Sequence, residues 1–241
     1  MNILIPMAGQ GSRFVKDGYE KPKPFIDVNG EPMILRVLEN LKYDEATYIL
    51  IAQKEHVLAE PKLVNRISEQ FNVTWITVDR LTEGTACTVL HARELINNEI
   101  PLLIANSDQL IDGGISEMIG DAKRRNLAGS ILCFSDPYLD PKWSFAKIDD
   151  SGYVIEVKEK EVISEFATVG IYYFQKGSYF VDAAVDMIVR NDRVNNEFYT
   201  CPVYNYVIKR HKKVGVNVIR ADDMHGIGTP KDLQRFLREH T

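Results

Sequence analysis

The chain has 241 residues, 45% of them hydrophobic, with 29 Lys and Arg against 34 Asp and Glu and a formal charge of -5. That length allows one large α/β domain or two small ones, and the apolar fraction suffices for a sizeable core. The acidic balance argues against a nucleic-acid coat or a binder of anionic membranes, while leaving room for a local basic pocket that holds phosphate. Cys87, Cys133 and Cys201 are scattered with no C-x-x-C pair, which fits a reducing cytosol better than a disulfide framework. Neither a signal-peptide pattern nor a bilayer-length apolar stretch is evident, so a cytoplasmic location without membrane or nucleic-acid partners is expected.

In chain order, short apolar runs alternate with segments of helical period. "NILIPM" reads as a buried strand, and "EPMILRVLENLKY" puts Ile34, Val37, Leu38 and Leu41 on one helix face. "TYILIAQ" is the second strand; "KEHVLAEPKLVNRISEQF" is helical with a break at Pro61. "VTWITVD" is a third strand, "EGTACTVLHARELI" a helix, "PLLIANSD" a fourth strand, "GISEMIGDAKRR" a helix and "GSILCFS" a strand. This alternation predicts parallel pairing, right-handed crossovers and a sheet covered on both faces. After Asp136 the rhythm changes. "SFAKIDDSGYVIEVKEKE" predicts two strands about a turn, "ATVGIYYFQKGSYFVDAAVDMI" a strand running into a helix, and "EFYTCPVYNYVIKRH" a helix. "KVGVNVIRADDM" is strand-like, and "TPKDLQRFLREH" predicts a last helix with Thr229 at its N-cap and Pro230 at N1. No repeat or linker divides the chain. Residues 1–241 are therefore read as one domain, whose later half completes the same sheet with a small, lid-like β insertion.

Ligands of open parallel sheets sit beyond the carboxyl ends of the strands, and the first strand ends in "PMAGQGSRF". Gly9 and Gly11 allow backbone amides to approach a phosphate, and Arg13 can bridge its oxygens with a planar fork. Phe14 stands where the dinucleotide fingerprint needs a third glycine, and the Gly-Lys-Ser/Thr of a P-loop is absent. Taken alone, the loop fits a phosphate cradle or a tight strand-to-helix turn equally. In "EKPKPF", Pro22 and Pro24 restrict Lys21 and Lys23 to extended geometry, so pinning an ammonium beside a phosphate costs less entropy.

"PMAGQGSRF" followed by "KPKPFIDVNGEPMI" resembles the signature of the nucleotidyltransferases that make nucleotide-activated sugars and related phosphate esters. The resemblance covers nearly the whole chain. It implies a single glycosyltransferase-A-like (Rossmann-like) α/β domain with a mixed, mainly parallel sheet, residues 1–136 forming the nucleotide half and 137–241 the acceptor half. It implies transfer of a nucleotidyl group from a nucleoside triphosphate to a phosphorylated substrate, with release of pyrophosphate, and Mg2+ as cofactor. Arg13, Lys23 and Asp108 would be the catalytic set, with Ala8, Gly9, Gly11 and Ser12 around the triphosphate. Asp108 ends the strand in "LLIANSDQ", where a carboxylate faces the ligand crevice and magnesium can bridge it to phosphate oxygens.

The family's second metal-binding aspartate precedes a G-T-P stretch, but here "ADDMHGIGTPKDL" has Gly226 at that place. Asp222 or Asp223, with Asp223 preferred, is expected to reach in, or water completes the site. "TEGTACTVL" resembles the segment beneath the nucleobase, where Gly84 lets the base lie against backbone and Thr85 and Ala86 are small enough to leave room for it; it also fits an N-cap box from Thr82 to Thr85. On the acceptor side the resemblance gives Lys160 to the acceptor phosphate with Glu159 beside it, Gly170 to substrate clearance and Glu197 to hydroxyl groups. Lys147 is a second phosphate candidate, and Trp143 either walls the pocket or belongs to the core. This acceptor stretch is most similar to a capsule and surface-polysaccharide branch that includes a cytidylyltransferase for phosphorylated glutamine. CTP and a phosphorylated amino acid or sugar phosphate are thus the expected substrates. The rivals are a uridylyl- or thymidylyltransferase for a sugar phosphate, a glycosyltransferase (which "NSDQ", not being D-x-D, disfavours) and a silent nucleotide-binding regulator. The oligomeric state is left open, a homo-oligomer included.

Overall fold

β1 (Asn2–Pro6) carries the apolar run Ile3, Leu4 and Ile5, fully buried on both faces as suits a central parallel strand. In the computed structural model, which describes residues 1–240, it lies inside a nine-stranded sheet. The chain leaves it through α1 (Ser12–Lys16), a 3-10 turn at Lys23–Phe25, and a ribbon of β2 (Asp27–Val28) and β3 (Glu31–Pro32). α2 (Met33–Asn40) then buries Ile34, Val37 and Leu38 completely. β4 (Thr47–Gln53) pairs parallel to β1. The helical stretch after it divides at Pro61, as its sequence predicts, into α3 (Lys54–Ala59) and α4 (Pro61–Gln70). β5 (Val73–Val78) pairs parallel to β4 at one edge of the sheet. The next helix is broken at His91 and Ala92 into α5 (Thr85–Leu90) and α6 (Arg93–Ile96). β6 (Leu102–Ala105) returns parallel to β1 on its other side, and β7 (Gln109–Ile111), α7 (Ser116–Arg124) and β8 (Gly129–Ser135) follow.

The later half extends the same sheet. β9 (Ser144–Ile148) and β10 (Val154–Glu159) form the expected antiparallel hairpin. β11 (Phe166–Phe174) pairs with β8 along one edge. Its other edge is shared: Ala167 faces Phe145 of β9, whereas Ile171 to Phe174 pair with β6. Between the two stretches the register breaks and Gly170 takes φ +87°, a left-handed conformation that side chains disfavour. α8 (Gly177–Val189) and α9 (Val203–Lys209) cover one face, and β12 (Val214–Ile219) pairs parallel to β8. β13 (Met224–Gly226) pairs with β7, and α10 (Pro230–Glu239) closes the fold with Thr229 accepting from the Asp232 amide at 3.1 Å. α9 is shorter than its sequence predicts, because Phe198 is held instead by backbone hydrogen bonds to Glu83 and Ala86, and the Thr200 amide donates to Thr85 Oγ1.

Side-chain alternation along β1 sorts the core into two layers. Ile3 and Ile5 join α2, α7 and α10 on one face; Leu4 joins α5, α8 and α9 on the other. Both layers are built mainly from apolar side chains, so the strand ends, rather than the faces, are left to carry polar chemistry.

Candidate functional site

Beyond the carboxyl ends of β1 and β6 lies a cavity of about 420 Å³. Gly9, Gly11, Ser12 and Arg13 line it from the first loop, Lys23 from the 3-10 turn, and Asn106, Ser107 and Asp108 from the end of β6. Gln53 at the end of β4 fixes the loop's start by donating from its buried amide to the Ala8 carbonyl at 2.8 Å. Beyond that anchor, among the described residues, Gly9 and Gln10 make no hydrogen bond to another protein group. A Cβ at Gly9 would meet nothing within 4 Å. These are the properties of a backbone able to receive an anion. Arg13 is exposed at the rim and has no carboxylate partner among the described residues. The reason for Gly11 differs from the expected one: a Cβ there would lie 2.9 Å from the Lys23 Cβ, so this glycine lets the loop lean on Lys23.

Lys23 sits between the two prolines but opens the 3-10 turn Lys23–Phe25 instead of taking the expected extended backbone, because the Phe25 amide donates to the Pro22 carbonyl at 2.8 Å. Its ammonium forms an ion pair with Asp108 Oδ2, each side chain being about one-fifth exposed. Arg13, Lys23 and Asp108, 85 residues apart at the extremes of that pair, are thus brought into one cavity. Gly228 completes the surroundings of the carboxylate. A Cβ at that position would run into Asp108 Oδ2, and the Ile227 amide donates to the Asp108 carbonyl at 2.9 Å. The glycine's missing side chain lets the carboxylate lie against this bare backbone at the cavity wall, and a single carboxylate with room for phosphate oxygens and water suits a hard cation. Asp223 is not brought to it. The register places Asp223 opposite Asp112, four residues along from Asp108, and its carboxylate turns back to the Arg220 amide. Gly226, where the family pattern has an aspartate, faces open space.

A second cavity of about 330 Å³ shares Gly9, Gly11 and Ser12 with the first and is closed by Ala8, Thr82, Gly84, Thr85, Thr88 and Glu197. The wall is built by zipping two distant segments together. The Phe198 amide donates to the Glu83 carbonyl at 2.7 Å, the Ala86 amide to the Phe198 carbonyl at 2.9 Å, and Thr200 to Thr85 Oγ1 at 3.0 Å. Gly84 has φ +118°, and a Cβ on it would lie 2.5 Å from the Phe198 backbone. The side of Gly84 where a Cβ would stand is filled by the Phe198 backbone, while Gly84 itself lines the cavity with Thr85; Ala86 is fully buried core rather than lining. Thr82 caps nothing; its hydroxyl meets the Gly84 carbonyl at 3.1 Å and Thr88 at 2.5 Å.

At the open end of the hairpin a charged cluster forms. Glu159 accepts from the Ser144 hydroxyl, and burial raises its carboxyl above the ordinary value, with Glu197 adding to the effect. Lys160 donates to the Tyr199 hydroxyl at 2.7 Å and lies over that ring. Burial alone would lower its pKa, but the Tyr199 hydrogen bond and the Glu159 and Glu197 carboxylates leave it raised, so the ammonium stays charged at neutral pH. Lys160 also holds a left-handed φ of +56°, a strained backbone of the kind found at binding sites. Glu197, expected on the acceptor side, lines the second cavity beside the glycine loop and acts electrostatically on this cluster, so it stands where the two meet.

Lys147 is not part of the cluster. It is exposed and pairs with Glu156, whereas Ser144 pairs with Glu159, three positions nearer the cluster. Trp143 is half-buried and packs edge-on against Phe134 at the margin of the core. Gly170 lies within β11, not before it, and the space its missing side chain leaves is filled by Asn106 and Gln109. Sequence reasoning missed Gln53, Asn106, Tyr199, Ser144 and Gly228. Only Gly228 carried a signal, the G-T-P stretch itself.

The nucleotidyl transferase family model matches residues 3–236. The chain is a member of the nucleotidyl transferase family. It is 21% identical over 236 residues to the bifunctional protein GlmU of Methanocaldococcus jannaschii, covering 97% of this chain and 52% of that one. It is 21% identical over 262 residues to 3-deoxy-manno-octulosonate cytidylyltransferase of Pseudoalteromonas atlantica, covering 99% and 97%. The chain spans about half, or less, of the length of the GlmU relatives it matches. Among solved structures, the nucleoside-diphosphate-sugar pyrophosphorylase of Vibrio cholerae RC9 superposes with a TM-score of 0.84 at 23% identity, covering 98% and 99% of the two chains. The family's fold, an α/β domain with a mixed and mainly parallel sheet, is therefore the fold of this chain.

Proposed function

We propose that this family member transfers a nucleotidyl group from a nucleoside triphosphate to a phosphorylated small molecule. The observation that carries the reading is the convergence of an unpartnered glycine loop, a free guanidinium and a lysine–aspartate pair in one cavity between β1 and β6. The acceptor phosphate is already ionised, so an oxygen of it can attack the α-phosphorus directly while the phosphorus–oxygen bond to pyrophosphate breaks. The protein's part is positioning and charge neutralisation. Arg13 and the amides of the Gly9–Gly11 loop hold the departing pyrophosphate. Lys23 neutralises charge at the α-phosphate, Lys160 anchors the acceptor phosphate, and Glu197 accepts from hydroxyl or amino groups at the junction. Asp108 would hold a Mg2+ ion, which when bound neutralises phosphate charge and steers its oxygens. Residues 1–136 supply the nucleotide side and 137–241 the acceptor side.

The finer reading is a cytidylyltransferase for a phosphorylated amino acid such as phosphoglutamine, or for a sugar phosphate, in capsule or surface-polysaccharide synthesis. Its support is the likeness of the acceptor stretch and a relative whose name is a cytidylyltransferase. The test is pyrophosphate release with each of four triphosphates against a panel of phosphorylated sugars and amino acids. CTP is expected to be preferred, and Asp108→Asn and Lys23→Ala are each expected to lose at least about 100-fold, the loss typical of removing one strong electrostatic stabiliser. Near-normal turnover in both variants refutes the assignment.

A further inference from the structure

The first cavity is lined by two cations, Arg13 and Lys23, and one carboxylate, Asp108, and the carboxylate is already engaged by Lys23. We infer that Lys23 and the divalent cation compete for Asp108 Oδ2, so that the protein alone binds the metal poorly and takes it up together with a polyphosphate. This rests on the proposed reading of the site. Lys23 has little freedom to retreat: Pro22 and Pro24 flank it, its backbone enters a 3-10 turn, and Gly11 packs against its Cβ. Only the outer torsions of the side chain are left to move. The pair is mostly shielded from solvent, so counter-ions screen it weakly. No second carboxylate compensates, since Asp223 lies opposite Asp112 and, among the described residues, no group of three or more His, Cys, Asp or Glu can hold a metal. A divalent cation approaching Asp108 therefore meets two positive side chains and one negative one. A triphosphate reverses that balance and offers Lys23 another anion, which releases the carboxylate. Lys23 is thus a placeholder for the metal as well as a phosphate ligand.

The experiment is Mn2+ binding to the full chain without nucleotide, followed by the loss of free-ion EPR signal. Wild-type protein is expected to bind weakly, and Lys23→Met at least tenfold more tightly. The double variant Lys23→Met/Asp108→Asn is expected to lose that gain. Lys23→Gln, which keeps length and polarity, is measured in parallel, with urea unfolding to establish that each variant is folded. An affinity in both lysine variants no higher than wild type overturns the inference, as does a gain that survives Asp108→Asn. Because no triphosphate is used, this outcome is separate from failure of the nucleotidyl-transfer reading, which the pyrophosphate assay reports.

Discussion

Replacing Gly84 with alanine tests whether the wall of the second cavity is built as described. Two costs fall on one methyl group. The backbone at φ +118° is one that side chains rarely adopt, and holding a non-glycine residue in such a region costs about 1–3 kcal/mol. The added Cβ would also sit 2.5 Å from the nitrogen and the oxygen of Phe198. Overpacking of this kind typically costs about 1–3 kcal/mol, and no rotamer change relieves a collision with backbone. Together they predict a loss of roughly 2–6 kcal/mol, a large share of the stability of an ordinary domain. Urea unfolding with an unchanged slope and a lowered midpoint is the assay. Gly226→Ala is the control: its Cβ would meet nothing within 4 Å and its φ lies outside the left-handed range, so a change within about 0.5–1 kcal/mol is expected for this strand glycine. If Gly84→Ala and Gly226→Ala prove equally stable, the zipped wall is wrong.

Lys160→Met should raise the KM for the phosphorylated acceptor by about 10–100-fold, the worth of a hydrogen bond to a charged group, and leave that for the triphosphate within about twofold. An unchanged acceptor KM would remove Lys160 from the acceptor site. Burial raises the Glu159 carboxyl, so the folded state holds its proton longer than the unfolded chain. Its contribution to stability is full below the ordinary value near 4.5 and is lost as pH rises through the folded value. Glu159→Gln should therefore gain on wild type in urea midpoint between pH 4.5 and pH 7.5; a constant difference across that range contradicts the assignment.

The fold and one corner of the site were legible in the sequence because their signals are local. Apolar runs of strand length, the break at Pro61 and the Thr229 cap each depend on neighbouring residues, and each appears as expected. Lys23 and Asp108 were legible for a similar reason, one braced by prolines and the other ending a buried strand. What was not legible depends on partners far along the chain. "EGTA" announces a need for small residues, but only the fold says that Phe198 occupies the space. Glu197 and Lys147 are both charged residues of the later half; hairpin register removes Lys147, and the zip onto residues 83–86 carries Glu197 to the glycine loop. Asp223 lost its expected role to a four-residue offset in a short antiparallel pair that the sequence does not announce.

The handover along β11 gives the molecule a natural seam. One strand edge serves β6, behind the first cavity, and then β9 of the β9–β10 hairpin. On the hairpin's far side no strand follows among the described residues; Asn205 of α9 exchanges two 2.9 Å hydrogen bonds with the Val157 backbone, so a side chain closes that margin. On the proposed reading, exchanging residues 144–160 for those of a relative, so that Lys160 travels with Ser144 and Glu159, should shift acceptor preference while the first cavity keeps its lining, and selection for new activated products could act on this one hairpin.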